Sequence, residues 1–211
     1  RELTGHEILE RYGMTETGMN LSNHYAGPRL PGTVGTPLPG VSVRTVDRHG
    51  RDLEPGGEGD LLVRGSNVFS GYWRAPEKTA ESFVQDELGR RWFRTGDLAR
   101  KDPETGYITL LGRSSELVIS GGFNIYPREV EEVLASFPGV REAAVAGRPH
   151  PEWGEVPAAW IVADSAVDPE ELVAFCKSQM AAFKAPREIR FVEALPRNAL
   201  GKVQKHLLPI S

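Results

Sequence analysis

Cysteine is almost absent from this chain: Cys176 is the only one in 211 residues. One thiol excludes an internal disulfide and suits a reducing cytoplasm, the expected location. Long hydrophobic runs are missing as well. None approaches the roughly 20 residues that a membrane span requires, so no span is expected. No charged-then-apolar leader opens the sequence, which argues against export. The five histidines are scattered without metal-ligand spacing, and no structural zinc site is expected. Net charge is low, at −4, so nothing draws the chain electrostatically to nucleic acid or to a membrane surface. The chain begins with Arg1 and not with methionine, which hints at a longer protein.

Apolar residues make up 39% of the sequence, enough for a core. The opening TGHEILERYG has helix-like spacing. From Gly27 to about Gly112 the chain is rich in Gly and Pro, and VSVRTVD, GDLLVRG and GYITLLG alternate or cluster β-branched residues between the turn signals DRHG, EPGGEG and DPETG. That pattern predicts a small distorted antiparallel barrel or sheet. After Arg113 the rhythm turns mixed. LVIS predicts a strand, GG a turn, and PREVEEVLASFPG a helix with Pro127 in its first turn. REAAVAG and VPAAWIVAD read as strands joined by the loop RPHPEWGE. In DPEELVAFCKSQMAAF, Asp168 is the expected N-cap, Glu171 completes a capping box, and Leu172, Phe175, Cys176 and Met180 form a core face. EIRFVEAL predicts a last strand and KVQKHLLPI a short helix. The fold class is α+β, with a boundary near Arg113: residues 1–112 and 113–211 form two domains, the second a small α+β one.

Four stretches could carry chemistry. In RYGMTETG, Thr15 and Thr17 flank Glu16 between glycines, so the loop offers donors to phosphate and one oxygen ligand to Mg²⁺, with Tyr12 as a flat face for a base. A plain polar turn would look the same. In RTGDLA, Asp97 can accept two hydrogen bonds from a ribose diol, or form an Asx-turn. In LGRSSELVISGGFNIYPREVE, Arg113 is a fixed cation, and Gly121-Gly122 permits close approach of a narrow ligand or makes a hairpin turn. In NALGKVQK, Gly201 would act as a flexible joint before Lys202, a point charge suited to phosphate unless it is merely a solvated terminal lysine.

Each motif is weak alone, but YGMTETG, TGD, GR–ELVISGG–YPREVE and PRNALGK in that order resemble the adenylate-forming acyl-CoA synthetase superfamily across essentially the whole chain. The resemblance implies an ATP-dependent ligase that forms an acyl-adenylate and passes the acyl group to coenzyme A. It places Tyr12 and Gly13 against the nucleotide, Thr15 near the phosphates, Glu16 on Mg²⁺, Asp97 with Arg113 on the ribose, and Lys202 between the substrate carboxylate and the ribose or α-phosphate oxygens. It also implies a mobile C-terminal domain with its pivot at Ser115, where relatives often carry Asp or Lys. In its other orientation Gly121 and Gly122 line the pantetheine tunnel. Trp153, Phe183 and Lys184 match positions near the nucleotide end of coenzyme A, although a core role for the two aromatics fits equally.

Within the superfamily, YGMTETGMNLSNHYAGPRLPGTVGTPLPGV looks most like malonyl-CoA synthetases. That implies a malonate-like dicarboxylate, with Arg29 the in-chain cation for its free carboxylate, or otherwise a loop arginine. The family's TSGTTGxPKG phosphate loop is missing, so the N-terminal domain is an expected partner and the chain alone is expected to be catalytically incomplete. Lys202 resembles a position that lysine acetyltransferases modify in relatives, and acetylation would remove its charge. The alternatives are a short-chain or methylmalonyl-CoA synthetase, a carrier-loading adenylation domain, and a non-catalytic module of the same fold. Intact Glu16, Asp97, Arg113 and Lys202 speak against the last.

Overall fold

The computed structural model describes residues 5–209 and divides into two units, Arg1–Ser114 and Ser115–Ser211. In the first, β1 (Arg11–Met14), β2 (Gly18–Ser22) and β3 (Thr36–Pro37) make a three-stranded antiparallel sheet. The second sheet holds β4 (Val41–Val46), β5 (Glu58–Gly65), β6 (Phe83–Gln85), β7 (Arg91–Lys101) and β8 (Ile108–Arg113), with α1 (Pro76–Glu81) before β6. Its centre is β7, which pairs β5 on one edge and, end to end on the other, β6 through Arg91–Phe93 and β8 through Asp97–Lys101. Alternation decides what each face buries. Leu61 packs with Tyr12, Leu21, Ala99 and Ile108 beneath the β1–β2 hairpin, while its neighbour Leu62 packs with Val46 and Trp92 on the opposite face.

The second unit is a sheet of β9 (Val118–Ser120), β10 (Phe123–Ile125), β11 (Val140–His150), β12 (Gly154–Ala163) and β13 (Glu188–Phe191) in the order β10-β9-β12-β11, with β13 parallel to β12. The helices α2 (Pro127–Ala135) and α3 (Pro169–Gln179) cover one face, where Val130, Leu134, Leu172 and Cys176 meet Val145, Ala159 and Ile161. Ala158, Trp160 and Val162 point the other way and are covered by Leu195 and Leu208, with the Trp160 indole N–H donating to the Pro209 carbonyl at 3.1 Å. Covered on both faces, β12 reads as a continuous apolar run. The α+β class and the antiparallel barrel-like sheet are both present.

Four local expectations change. The opening stretch is not helical: residues 7–10 have no regular structure and Arg11–Met14 is strand, while Thr4 lies outside the described residues. Ile8 remains 78% exposed, so the helical spacing has no core to pack on, whereas Tyr12 gains a ladder position opposite Leu21. The RPHPEWGE loop shrinks to residues 151–153, because β11 and β12 extend toward each other. The Asp168 cap forms, but its oxygen takes the N–H of Glu170 and not that of Glu171. The terminal helix is one 3₁₀ turn, Lys205–Leu207, and Ile210 lies outside the described residues. Among the described residues no helix is long and apolar enough to cross a membrane.

Candidate functional site

Asp97 lies in β7 directly opposite Arg113 in β8, and the strand register alone brings them together. Arg113 Nε stands 2.9 Å from Asp97 Oδ1, and its Nη1 donates to the Thr95 carbonyl at 3.2 Å. From β1, the Tyr12 hydroxyl donates to Asp97 Oδ2 at 2.5 Å. Behind them, the Asp97 N–H donates to Thr95 Oγ1 and the Thr95 hydroxyl donates to the Leu61 carbonyl, which fixes the bend at Gly96. Burial, and after it the bond to Asp97, push the Tyr12 hydroxyl well above its ordinary pKa, so it stays a donor. Only 8% of Tyr12 is exposed; its ring belongs to the core. A carboxylate oriented in this way is a fit acceptor for two vicinal hydroxyls.

In the β1–β2 hairpin Thr15 is exposed, Glu16 half-buried and Thr17 buried. Thr17 is fully buried; its hydroxyl accepts from Asn20 at 2.7 Å and its carbonyl from Asn67 at 2.7 Å, so it braces the loop. Gly13 is required here, since a Cβ would lie 2.2 Å from the Gly18 carbonyl oxygen. The Tyr72 hydroxyl donates to Glu16 Oε1 at 2.9 Å. Burial first, and then Glu16, raise the Tyr72 pKa. Sequence reasoning missed Tyr72, which stands 56 residues from its partner in a stretch without a motif. One carboxylate braced on a single oxygen suits Mg²⁺, which takes few protein ligands beside substrate phosphates. Among the described residues no group of three or more His, Cys, Asp or Glu is placed to hold a metal without such help.

Arg29 donates from Nη1 to the Glu7 carbonyl at 2.6 Å, from Nη2 to the Tyr25 carbonyl at 2.9 Å and from Nε to the His24 carbonyl at 3.4 Å. It therefore organises its own loop, and each terminal nitrogen keeps a second N–H.

In the second unit the paired glycines sit between β9 and β10, beside Trp153. A Cβ on Gly121 would lie 2.5 Å from the Trp153 ring, and the Gly121 N–H donates to the Trp153 carbonyl at 2.9 Å. The Arg187 guanidinium lies 4.9 Å from the centre of the same ring. Phe183 packs against Phe123 with ring centroids 4.7 Å apart and planes tilted by 31°, and both stay about half exposed. Lys184 is held by both oxygens of Glu129 at 2.7 Å. Trp153 and Phe183 are thus each exposed and belong to no core cluster.

Lys202 and Ser115 line one groove of about 640 Å³, together with Glu116, Glu155, Asn198 and Lys205. Gly201 sits inside a hydrogen-bonded turn. With φ at +79° it occupies the left-handed position of a closed hairpin, in which the Asn198 N–H donates to the Lys202 carbonyl and the Lys202 N–H donates to Asn198 Oδ1. Lys205, which the sequence did not single out, is held by Glu116 at 2.8 Å and Glu131 at 2.7 Å. Lys202 is exposed, and among the described residues its ammonium has no ion pair.

The family model described as AMP-binding enzyme matches residues 1–73, and that of the AMP-binding enzyme C-terminal domain matches residues 129–202. The 2-succinylbenzoate–CoA ligase of Bacillus licheniformis is 42% identical over 204 residues, covering 95% of this chain and 41% of the relative. A malonate–CoA ligase of Arabidopsis thaliana is 39% identical over 216 residues, covering 96% and 34%. The crystal structure of ATP-bound MatB from Rhodopseudomonas palustris superposes with a TM-score of 0.88 at 49% identity, over 97% of this chain and 40% of that one. The chain spans less than half the length of each of these relatives.

Proposed function

We propose, from the premise that this chain belongs to the AMP-binding enzyme family of adenylate-forming enzymes, that it is the C-terminal part of an ATP-dependent acyl-CoA ligase. The observation that carries the reading is the Tyr12–Asp97–Arg113 arrangement, an oriented carboxylate built from three strands. In this reading Asp97 accepts the ribose hydroxyls, Arg113 and Tyr12 fix its orientation, and Gly13 lets the hairpin close beneath the nucleotide. Thr15 and Glu16 face the phosphates, with Glu16 holding Mg²⁺, which when bound neutralises the polyphosphate. Lys202 supplies the mobile charge: it stabilises the negative charge that builds as the carboxylate oxygen attacks the α-phosphorus and pyrophosphate leaves. Ser115 is the pivot. Gly121, Gly122, Trp153, Phe183 and Lys184 receive coenzyme A, for which exposed aromatic faces suit an adenine.

For the acid we favour malonate. Malonate and 2-succinylbenzoate, the acids named for the two relatives, are both dicarboxylates, so a second carboxylate must be met in each. The spare N–H groups of Arg29 are the in-chain candidate. The buried Cys176 suits a reducing compartment, which we take to be the cytoplasm. The exposed amine of Lys202 is open to an acetyltransferase, and acetylation would silence adenylation. The test is pyrophosphate release by the full-length enzyme with malonate, methylmalonate, 2-succinylbenzoate and acetate. Malonate is expected to give the highest kcat/KM, and equal rates with acetate would overturn the dicarboxylate assignment.

A further inference from the structure

Three hairpins in this chain share one design. Asp47–Arg51, Asp86–Arg90 and Asn198–Lys202 each begin with Asp or Asn and carry Gly at the fourth position and a cation at the fifth. In each, the first residue's N–H donates to the fifth residue's carbonyl, and the glycine N–H donates to the first residue's carbonyl at 2.9 Å. The glycines have φ of +80°, +70° and +79°. In each, Oδ1 of the first side chain accepts the N–H groups of the third and fifth residues, at 2.8–3.0 Å. This is a type I turn with a glycine bulge, closed by an Asx side chain.

The second arm of that side chain sets the loops apart. In the two aspartate loops Oδ2 captures the fifth residue: Arg51 Nε donates to Asp47 at 2.8 Å and Arg90 Nε donates to Asp86 at 2.7 Å. In the third loop the arm is an amide –NH₂. Its assignment is forced, because the atom that accepts two backbone N–H groups must be the oxygen. A donor cannot hold an ammonium. Meanwhile Arg197 steadies the hairpin from outside, donating to the Gly201 carbonyl at 2.6 Å and pairing with Glu142 on β11.

We propose that Asn198 is a positioning residue for Lys202. It builds the hairpin as an aspartate would, yet gives the lysine no counter-charge, so the ammonium stays available for the reacting carboxylate and phosphate. This rests on the reading of Lys202 as the adenylating lysine. The lysine ammonium lies one bond farther from its Cα than the arginine Nε that the other loops capture, so an aspartate at 198 is within its reach.

The experiment compares Asn198→Asp and Asn198→Ala with the wild type in the full-length protein. The first readout is the rate at which Lys202 is acylated by an N-hydroxysuccinimide ester, followed by mass spectrometry. The others are the two half-reactions measured separately, and Tm. The aspartate variant should keep the wild-type Tm, acylate about three- to fivefold more slowly, and lose adenylation by a similar factor, in line with an exposed ion pair. Thioester formation from supplied acyl-adenylate should stay within twofold. The alanine variant should lose Tm without slower acylation. Unchanged acylation in the aspartate variant would overturn the proposal, and so would equal slowing in both variants, which would make the residue merely structural. If the full-length protein adenylates no carboxylate, the role of Lys202 fails, while the acylation ratio still decides whether Asn198 leaves its amine unpaired.

Discussion

Asp97 and Lys202 are the two charges on which the functional reading turns, and the fold treats them in opposite ways. Asp97 is 8% exposed, with a phenol on one oxygen and a guanidinium on the other. Lys202 is exposed, and among the described residues its ammonium has no ion pair, the hairpin being closed by backbone atoms and the Asn198 side chain. A group that must offer fixed geometry to a ligand benefits from being locked beforehand. A group required for one half-reaction and not for the next benefits from having nothing at home to hold its charge. Hence the same substitution, to alanine, should damage different properties at the two positions.

Lys202→Ala is the largest expected effect on activity. Adenylation by the full-length enzyme should fall by about two to three orders of magnitude, the scale for losing one preplaced transition-state charge. Tm should move by no more than about 1 °C, since the side chain is exposed and its ammonium holds no ion pair among the described residues. A large fall in Tm would break the comparison, because it would mean that the lysine supports the fold. Asp97→Ala should do both kinds of harm. Removing it takes the carboxylate from the buried Tyr12 hydroxyl and from Arg113 Nε, while Arg113 keeps its bond to the Thr95 carbonyl, and this costs about 1–3 kcal/mol. Nucleotide affinity, measured by calorimetry with AMP, should fall at the same time. A variant of unchanged stability would show that the carboxylate is not held as described.

Tyr12→Phe is milder, about 1 kcal/mol from urea melts, because only one hydrogen bond goes. Its clearer signature lies in pH. The folded protein keeps the Tyr12 proton to a higher pH than the unfolded chain, whose tyrosine titrates near 10. The stability from this group is therefore complete below about pH 10 and is lost as pH rises past it. Tm should fall between about pH 10 and 11.5 in the wild type and less steeply in the variant. Part of the remaining slope belongs to Tyr72, whose proton is held in the same direction by burial and by Glu16.

What could be read from the sequence was what is encoded locally. The alternation in GDLLVRG and the cap-and-spacing pattern after Asp168 carry their own instructions, and β5 and α3 stand where those patterns lie. The opening stretch misled because Ile8 and Tyr12 fit a helix only if a core waits for both, and strand pairing claimed Tyr12 alone. At the site, Asp97 and Arg113 were visible as motif residues, but their pairing is a matter of strand register and Tyr12's grip on Asp97 spans 85 residues. Tyr72 and Lys205 carried no pattern at all. Thr17 was legible as a hydroxyl but not as a buried one, because which side of a hairpin faces the core depends on the sheet beneath it.

The smallest effect tests the loop design from the opposite side. The Asp47 carboxyl is held down to about pKa 2, chiefly by the Arg51 backbone N–H, with the Arg51 side chain and the His49 N–H adding to it. Asp47→Asn should keep the backbone bonds that close the hairpin, because an amide oxygen accepts them equally well, and should free only the Arg51 side chain. The expected change in Tm at neutral pH is about 1 °C or less, as for other exposed pairs. Acid should reveal more. A lowered carboxyl pKa gives stability that is present above the unfolded value near 3.8 and lost as pH falls through 2. In the asparagine variant that part of the acid transition should vanish, leaving a shallower fall in Tm over the same range. A larger loss at neutral pH would mean that the second arm of the side chain is needed to build the hairpin, and the amide at position 198 could then not be doing the same job for Lys202.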